Sequence, residues 1–122
     1  MIKVAFPSLQ PYVLSLLRMI VGFTFSLHGL QKLFGFFGGV GGSGAKAPLS
    51  SLIWVGGVLE AFGGLLILLG LFTVPVAFIL SGEMAAAYFR VHLPRGFWPI
   101  LNGGELAVVY CFIFLDLTGV IA

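Results

Sequence analysis

Charge is what this chain has least of: six Lys and Arg and four Asp and Glu in 122 residues, 8% of the sequence. Soluble domains carry about a quarter charged residues. Set against that scarcity are 60% hydrophobic residues and a mean hydropathy of +1.17, which exclude a water-exposed globular surface and point to an integral membrane protein. The cations are scattered, with no basic run interleaved with aromatics, so membrane lipid is an expected partner and nucleic acid is not. One cysteine, Cys111, excludes an intramolecular disulfide and a dithiol shuttle within the chain. His28 and His92 are the two histidines, and no Glu-x-x-His pattern occurs, so neither a carboxylate-bridged metal pair nor a bis-histidine haem is expected.

What is present is apolar length. Pro, Gly and charge punctuation divide the chain into four apolar runs, predicting helices over about 12–34, 49–69, 72–91 and 99–120. The fold class is therefore all-α, an integral membrane four-helix transmembrane bundle forming a single domain over 1–122. The first apolar run contains Arg18 and continues past it, unlike a signal peptide, so the N-terminus is expected to be retained. Lys3, Pro7 and Pro11 read as an interfacial lead-in. The segment from Gly35 to Pro48 reads as a loop, interfacial at Phe36 and Phe37 and mobile around Gly41 to Gly44. Lys32, Lys46, Arg90 and Arg95 cluster at the two longer loops, which the positive-inside rule places in the cytoplasm.

The few charges fall where they are least expected. Arg18, Glu60, Glu83 and Glu105 each sit inside an apolar run, and an ionised group there disfavours insertion by roughly 2.5 to 3.5 kcal/mol. On helix one, Arg18, Gly22, Phe25, Gly29 and Lys32 share a stripe. On helix two, Gly56, Glu60, Gly63, Gly64 and Ile67 do the same. Small residues at that spacing mark helix contacts in membranes. Arg18 within reach of Glu60 reads mainly as a buried, register-setting pair. Glu83 lies one heptad before Arg90, and Asn102 and Glu105 are three apart on helix four. Depth counted along the helices places His28, Glu83 and Glu105 in one layer near the loop side, where Lys32 and Arg90 are the available cations. Such a layer would share protons or hold a polar head group.

The run His28-Gly29-Leu30-Gln31-Lys32-Leu33-Phe34-Gly35, the run Gly57-Val58-Leu59-Glu60-Ala61-Phe62-Gly63-Gly64, and Asn102-Gly103-Gly104-Glu105 together resemble the DoxX family of small four-helix membrane proteins. The resemblance spans about Leu16 to Phe114. That family is similar to the quinone-linked small subunit of thiosulfate:quinone oxidoreductase. The resemblance implies a quinone head-group pocket lined by Arg18, His28, Lys32, Glu60, Glu83 and Glu105, with Arg90 or Lys32 polarising a quinone oxygen and His28 or a glutamate exchanging protons. The chain has no cofactor fingerprint, so a partner redox subunit would supply electrons, and a homodimer is compatible with the glycine-lined faces. The resulting expectation is a quinone-binding subunit of an oxidoreductase in a bacterial inner membrane. A proton-coupled small-solute carrier and a non-catalytic scaffold for a soluble redox enzyme are the alternatives.

Overall fold

In a computed structural model of the chain, residues 5–119 are described. Lys3 of the expected lead-in, and Val120 at the expected end of the last helix, lie outside them. The fold is all-α: no strand occurs among the described residues, only an isolated bridge between Val40 and Ala45. Three helical stretches are long and apolar enough to cross a bilayer, Gln10–Phe34, Leu52–Leu69 and Thr73–Arg95, and a shorter fourth helical region follows. Much of their apolar surface faces outward, as at Phe23, Phe62, Phe78 and Phe112, which is the surface hydrocarbon would cover. The described chain divides at Phe72 and Thr73 into two compact units.

The first unit is an antiparallel helix pair. Helix α1 (Gln10–Phe34) opens with Pro11 in its first turn and ends at Gly35, whose left-handed backbone lets its N–H reach Gln31 O. Helix α2 (Leu52–Leu69) starts three residues later than the apolar run suggests. Ser51 is its N-cap and accepts a hydrogen bond from Trp54 N at 3.1 Å, leaving Leu49 and Ser50 outside. At its other end Gly70 N donates to Ile67 O and Leu71 N to Leu66 O, a Schellman closure that needs the positive φ of Gly70.

The two helices meet through glycine. A Cβ on Gly22 would lie 2.7 Å from Gly64 O, and one on Gly29 would lie 2.6 Å from Gly57 O and closer still to Ala61 N. Backbones in that proximity fix the register: Gly22 faces Gly64 and Leu68, and Gly29 faces Gly57 and Ala61. The buried residues, Val21, Gly22, Phe25 and Gly29 on α1 and Gly57, Glu60, Gly63, Gly64 and Ile67 on α2, follow the expected stripes except that Gly57 takes the place of the half-buried Gly56, Val21 joins α1, and Arg18 and Lys32 are only half-buried. The connecting loop folds back on α1, since Ala47 N donates to Lys32 O at 2.7 Å and Val40 N to Ala45 O at 2.9 Å.

In the second unit, helix α3 (Thr73–Ala87) continues through a π-turn at Tyr88–His92 and a short 3-10 turn at Leu93–Arg95, where Pro94 ends regular α pairing. The continuous helix expected over 99–120 is interrupted. Helix α4 (Pro99–Asn102) stops at Gly103, φ +77°, and helix α5 (Glu105–Leu117) begins after Gly104. The reason is local competition: Asn102 Oδ1 accepts from Gly104 N at 2.8 Å, replacing the helical partner that backbone would otherwise take. A Cβ at Gly104 would stand 2.7 Å from the Cβ of His92, so the break also needs a residue without a side chain. Helix α3 buries Ala77, Leu80, Ser81 and Met84, and α5 buries Ala107, Tyr110 and Phe114. Ser81 Oγ ties the two together by donating to Cys111 O at 2.8 Å.

Candidate functional site

Lys32 and Glu60 form the polar centre of the first unit. Lys32 Nζ lies 2.6 Å from Glu60 Oε2; Glu60 is 1% exposed, while the Lys32 side chain keeps 30% of its surface. Glu60 is buried because its neighbours on the helix face, Gly57, Gly63 and Gly64, let α1 approach its backbone. The carboxylate then meets the α1 residue opposite it, Lys32, whose stem runs along the helix contact to reach inward. A carboxylate at this burial is tolerated only with a cation or donor beside it, and Lys32 supplies one.

The pairing of Arg18 with Glu60 expected from the sequence is not formed. Arg18 Nη1 donates to Ile67 O at 2.6 Å and Leu68 O at 2.9 Å, so its guanidinium caps the C-terminal end of α2. The cause is register. With Gly22 docked at Gly64 and Leu68, Arg18 stands one turn further along, and Leu68 is about 12 Å of helix away from Glu60. A cation there meets the negative end of the α2 dipole, the Leu68 carbonyl and the Ile67 carbonyl that also accepts from Gly70 N.

His28 sits one turn before Lys32 on α1 and within electrostatic reach of both Lys32 and Glu60. On its outer side it lines a groove of about 260 Å³ together with Thr24, Leu27, Gln31 and Phe37. His28 therefore lines the open groove while lying within electrostatic reach of the buried ion pair. Gln31 and Phe37 are groove residues the sequence did not single out. The available signal was Gln31 three residues after His28, on the same helical face.

Glu83, Arg90, Asn102 and Glu105 belong to the second unit. Glu83 is half-buried on α3, and the Ser81 to Cys111 bond sets it near the level of Val109 on α5. Glu105 is exposed in the first turn of α5 and lines a groove of about 480 Å³ with Pro99, Ile100, Gly103, Leu106 and Val109. In that register the two acids are roughly one helical turn, about 6 Å, apart along the axis. Arg90 is exposed on the π-turn. Asn102 is 2% exposed and committed to the fold: its Nδ2 donates to Gly96 O at 2.8 Å and Tyr88 Oη at 3.2 Å, and its Oδ1 holds Gly104. Tyr88 is a partner the sequence pattern did not reveal. A third groove, of about 300 Å³ and wholly apolar, lies between α3 and α5 along Met84, Tyr88, Ala107 and Cys111. Among the described residues no group of three or more His, Cys, Asp and Glu is placed to hold a metal ion.

Comparison with known proteins finds relatives of the sequence. The DoxX family profile matches residues 13–93. An uncharacterized protein of Haemophilus influenzae is 47% identical over 110 residues, covering 87% of this chain and 81% of the relative. A Bacillus subtilis protein named "Putative oxidoreductase CatD" is 33% identical over 106 residues, covering 85% of this chain and 77% of the relative. No solved structure is significantly similar.

Proposed function

The chain belongs to the DoxX family of membrane proteins, and from that premise we propose that it is the quinone-binding membrane subunit of an oxidoreductase complex in a bacterial inner membrane. The observation that carries the reading is the position of His28, on the wall of an outward groove and beside the buried Lys32–Glu60 pair. The oxidoreductase name of a relative that covers 85% of the chain supports the reaction class. Quinone is the substrate in this reading, and it takes up two electrons and two protons on reduction. The electrons come from a partner redox subunit, because the chain carries no dithiol.

The residues divide the work by their surroundings. His28 faces the head group and can both donate a hydrogen bond and exchange a proton. Lys32 places a positive charge one turn away, which favours an oxygen that gains negative charge. Glu60 holds Lys32 in place and balances its charge within the helix contact. Within the second unit, Glu83 and Glu105 are read as carboxylates able to exchange protons, and Arg90 as an exposed cation on the π-turn. Asn102 and Arg18 act as positioning residues.

The test is titration calorimetry of decylubiquinone against the purified chain in lipid nanodiscs. Wild type is expected to bind, and His28→Phe to bind about tenfold more weakly, as the loss of one strong hydrogen bond to the ring oxygen would produce. Wild type that binds no quinone, or His28→Phe that binds as well as wild type, would count against the reading.

A further inference from the structure

The groove beside His28 has one wall that no helix supplies. Thr24, Leu27, His28 and Gln31 come from α1, and the remaining lining residue is Phe37, from the loop that follows. Phe37 is held there against its own preference. Its φ is +54°, in the left-handed region that residues with a Cβ avoid, and Gln31 Nε2 donates to its carbonyl at 3.0 Å. Phe36 meets its ring edge-on, with centroids 6.3 Å apart.

Yet Phe37 as a residue is 64% exposed. Strained backbone kept by a specific hydrogen bond, under a ring that packs against little, puts the constraint where a ligand would use it. The groove volume, about 260 Å³, lies below the usual ligand cleft of roughly 300 to 1,000 Å³. It suits one ring system with its tail left in the lipid. A lining that includes the His28 imidazole, the Gln31 side chain and Phe37 suits a flat ring that carries oxygens at its edge.

Resting on the quinone reading, we propose that Phe37 is the stacking wall that selects planar head groups and that Gln31 is the latch that holds it over His28. Phe37→Leu keeps an apolar side chain of similar reach and the same backbone demand but removes the flat face. Phe37→Trp keeps the face. In nanodiscs, Phe37→Leu is expected to bind decylubiquinone about three- to tenfold more weakly than wild type, Phe37→Trp within about twofold of it, and Gln31→Leu about threefold more weakly. Farnesol, an isoprenoid tail without a quinone ring, is expected to partition equally into nanodiscs of wild type and Phe37→Leu. Decylubiquinone affinity unchanged in Phe37→Leu while wild type binds would overturn this inference alone, leaving Phe37 an interfacial anchor. Equal losses in Phe37→Leu and Phe37→Trp would also overturn it. Wild type that fails to bind any quinone would overturn the quinone reading and this assignment with it.

Discussion

At the scale of single residues the decisive contact is Lys32 with Glu60. Replacing Lys32 by Met strands a carboxylate that is 1% exposed. Breaking a buried pair from one side destabilises by about 3 kcal/mol, whereas replacing both partners by apolar groups is often neutral. Lys32→Met is therefore expected to lower the thermal midpoint in detergent by several degrees, and Lys32→Met with Glu60→Met to recover most of it without recovering quinone affinity. A double variant as unstable as the single one would mean that Glu60 needs no charge partner. Glu60 stood out in the sequence as a charge within an apolar run and Lys32 as a cation on the glycine stripe near the loop end, but their pairing did not. Depth counted from the loop cannot choose between Arg18 and Lys32 for Glu60, because the choice rests on which backbone atoms Gly22 and Gly29 meet on the other helix.

At the scale of elements the glycines decide. The helices themselves were legible, since apolar runs, Gly35, Gly70 and Pro94 are local signals. The glycine stripes were legible too, because the 3.6-residue period needs no partner to be seen. The α4 to α5 break was not, because the local Asn102 to Gly104 bond is held by an amide whose Nδ2 is anchored on Tyr88 and Gly96, 14 and 6 residues away in the chain. Two glycines mark the difference between contact and open surface. Gly29→Val would drive a side chain into the backbone of Ala61, and the obstacle cannot rotate away as a side chain would. Overpacking typically destabilises by about 1–3 kcal/mol, and a backbone obstacle puts this variant at the upper end. On α3, a methyl group at Gly82 would meet nothing within 4 Å, so Gly82→Ala is expected to leave stability unchanged or raise it by up to about 1 kcal/mol through helix propensity. Thermal unfolding of both variants in the same detergent checks the pair. Arg18→Met belongs with them: without its guanidinium the Leu68 carbonyl loses this donor while Ile67 O keeps only Gly70 N, at about 1–3 kcal/mol.

At the scale of the whole molecule the bilayer sets the terms. Helix α1 is about 37 Å long and α2 about 27 Å, close to the roughly 30 Å of hydrocarbon, whereas α5 alone covers only about 20 Å. Because α1 and α2 run antiparallel, Ser8 and Lys46 lie at opposite ends of the first unit. The capping role of Arg18 sharpens the charge bias between those ends. Its guanidinium is engaged by the α2 carbonyls at the Gly70 end and is removed from the flanking charges that the positive-inside rule counts. Lys32 is likewise engaged, by Glu60, so Lys46 is the flanking cation at the loop end, and by the positive-inside rule the Gly35 to Pro48 loop is expected on the cytoplasmic side. In a Cys111→Ser background, Lys46→Cys is expected to react with a membrane-impermeant maleimide in inverted inner-membrane vesicles and to stay unlabelled in intact spheroplasts, with Ser8→Cys showing the reverse. The opposite labelling would place the loop, and with it Phe37 and the mouth of the His28 groove, on the outer face, so that any electron-donating partner would have to approach from that side.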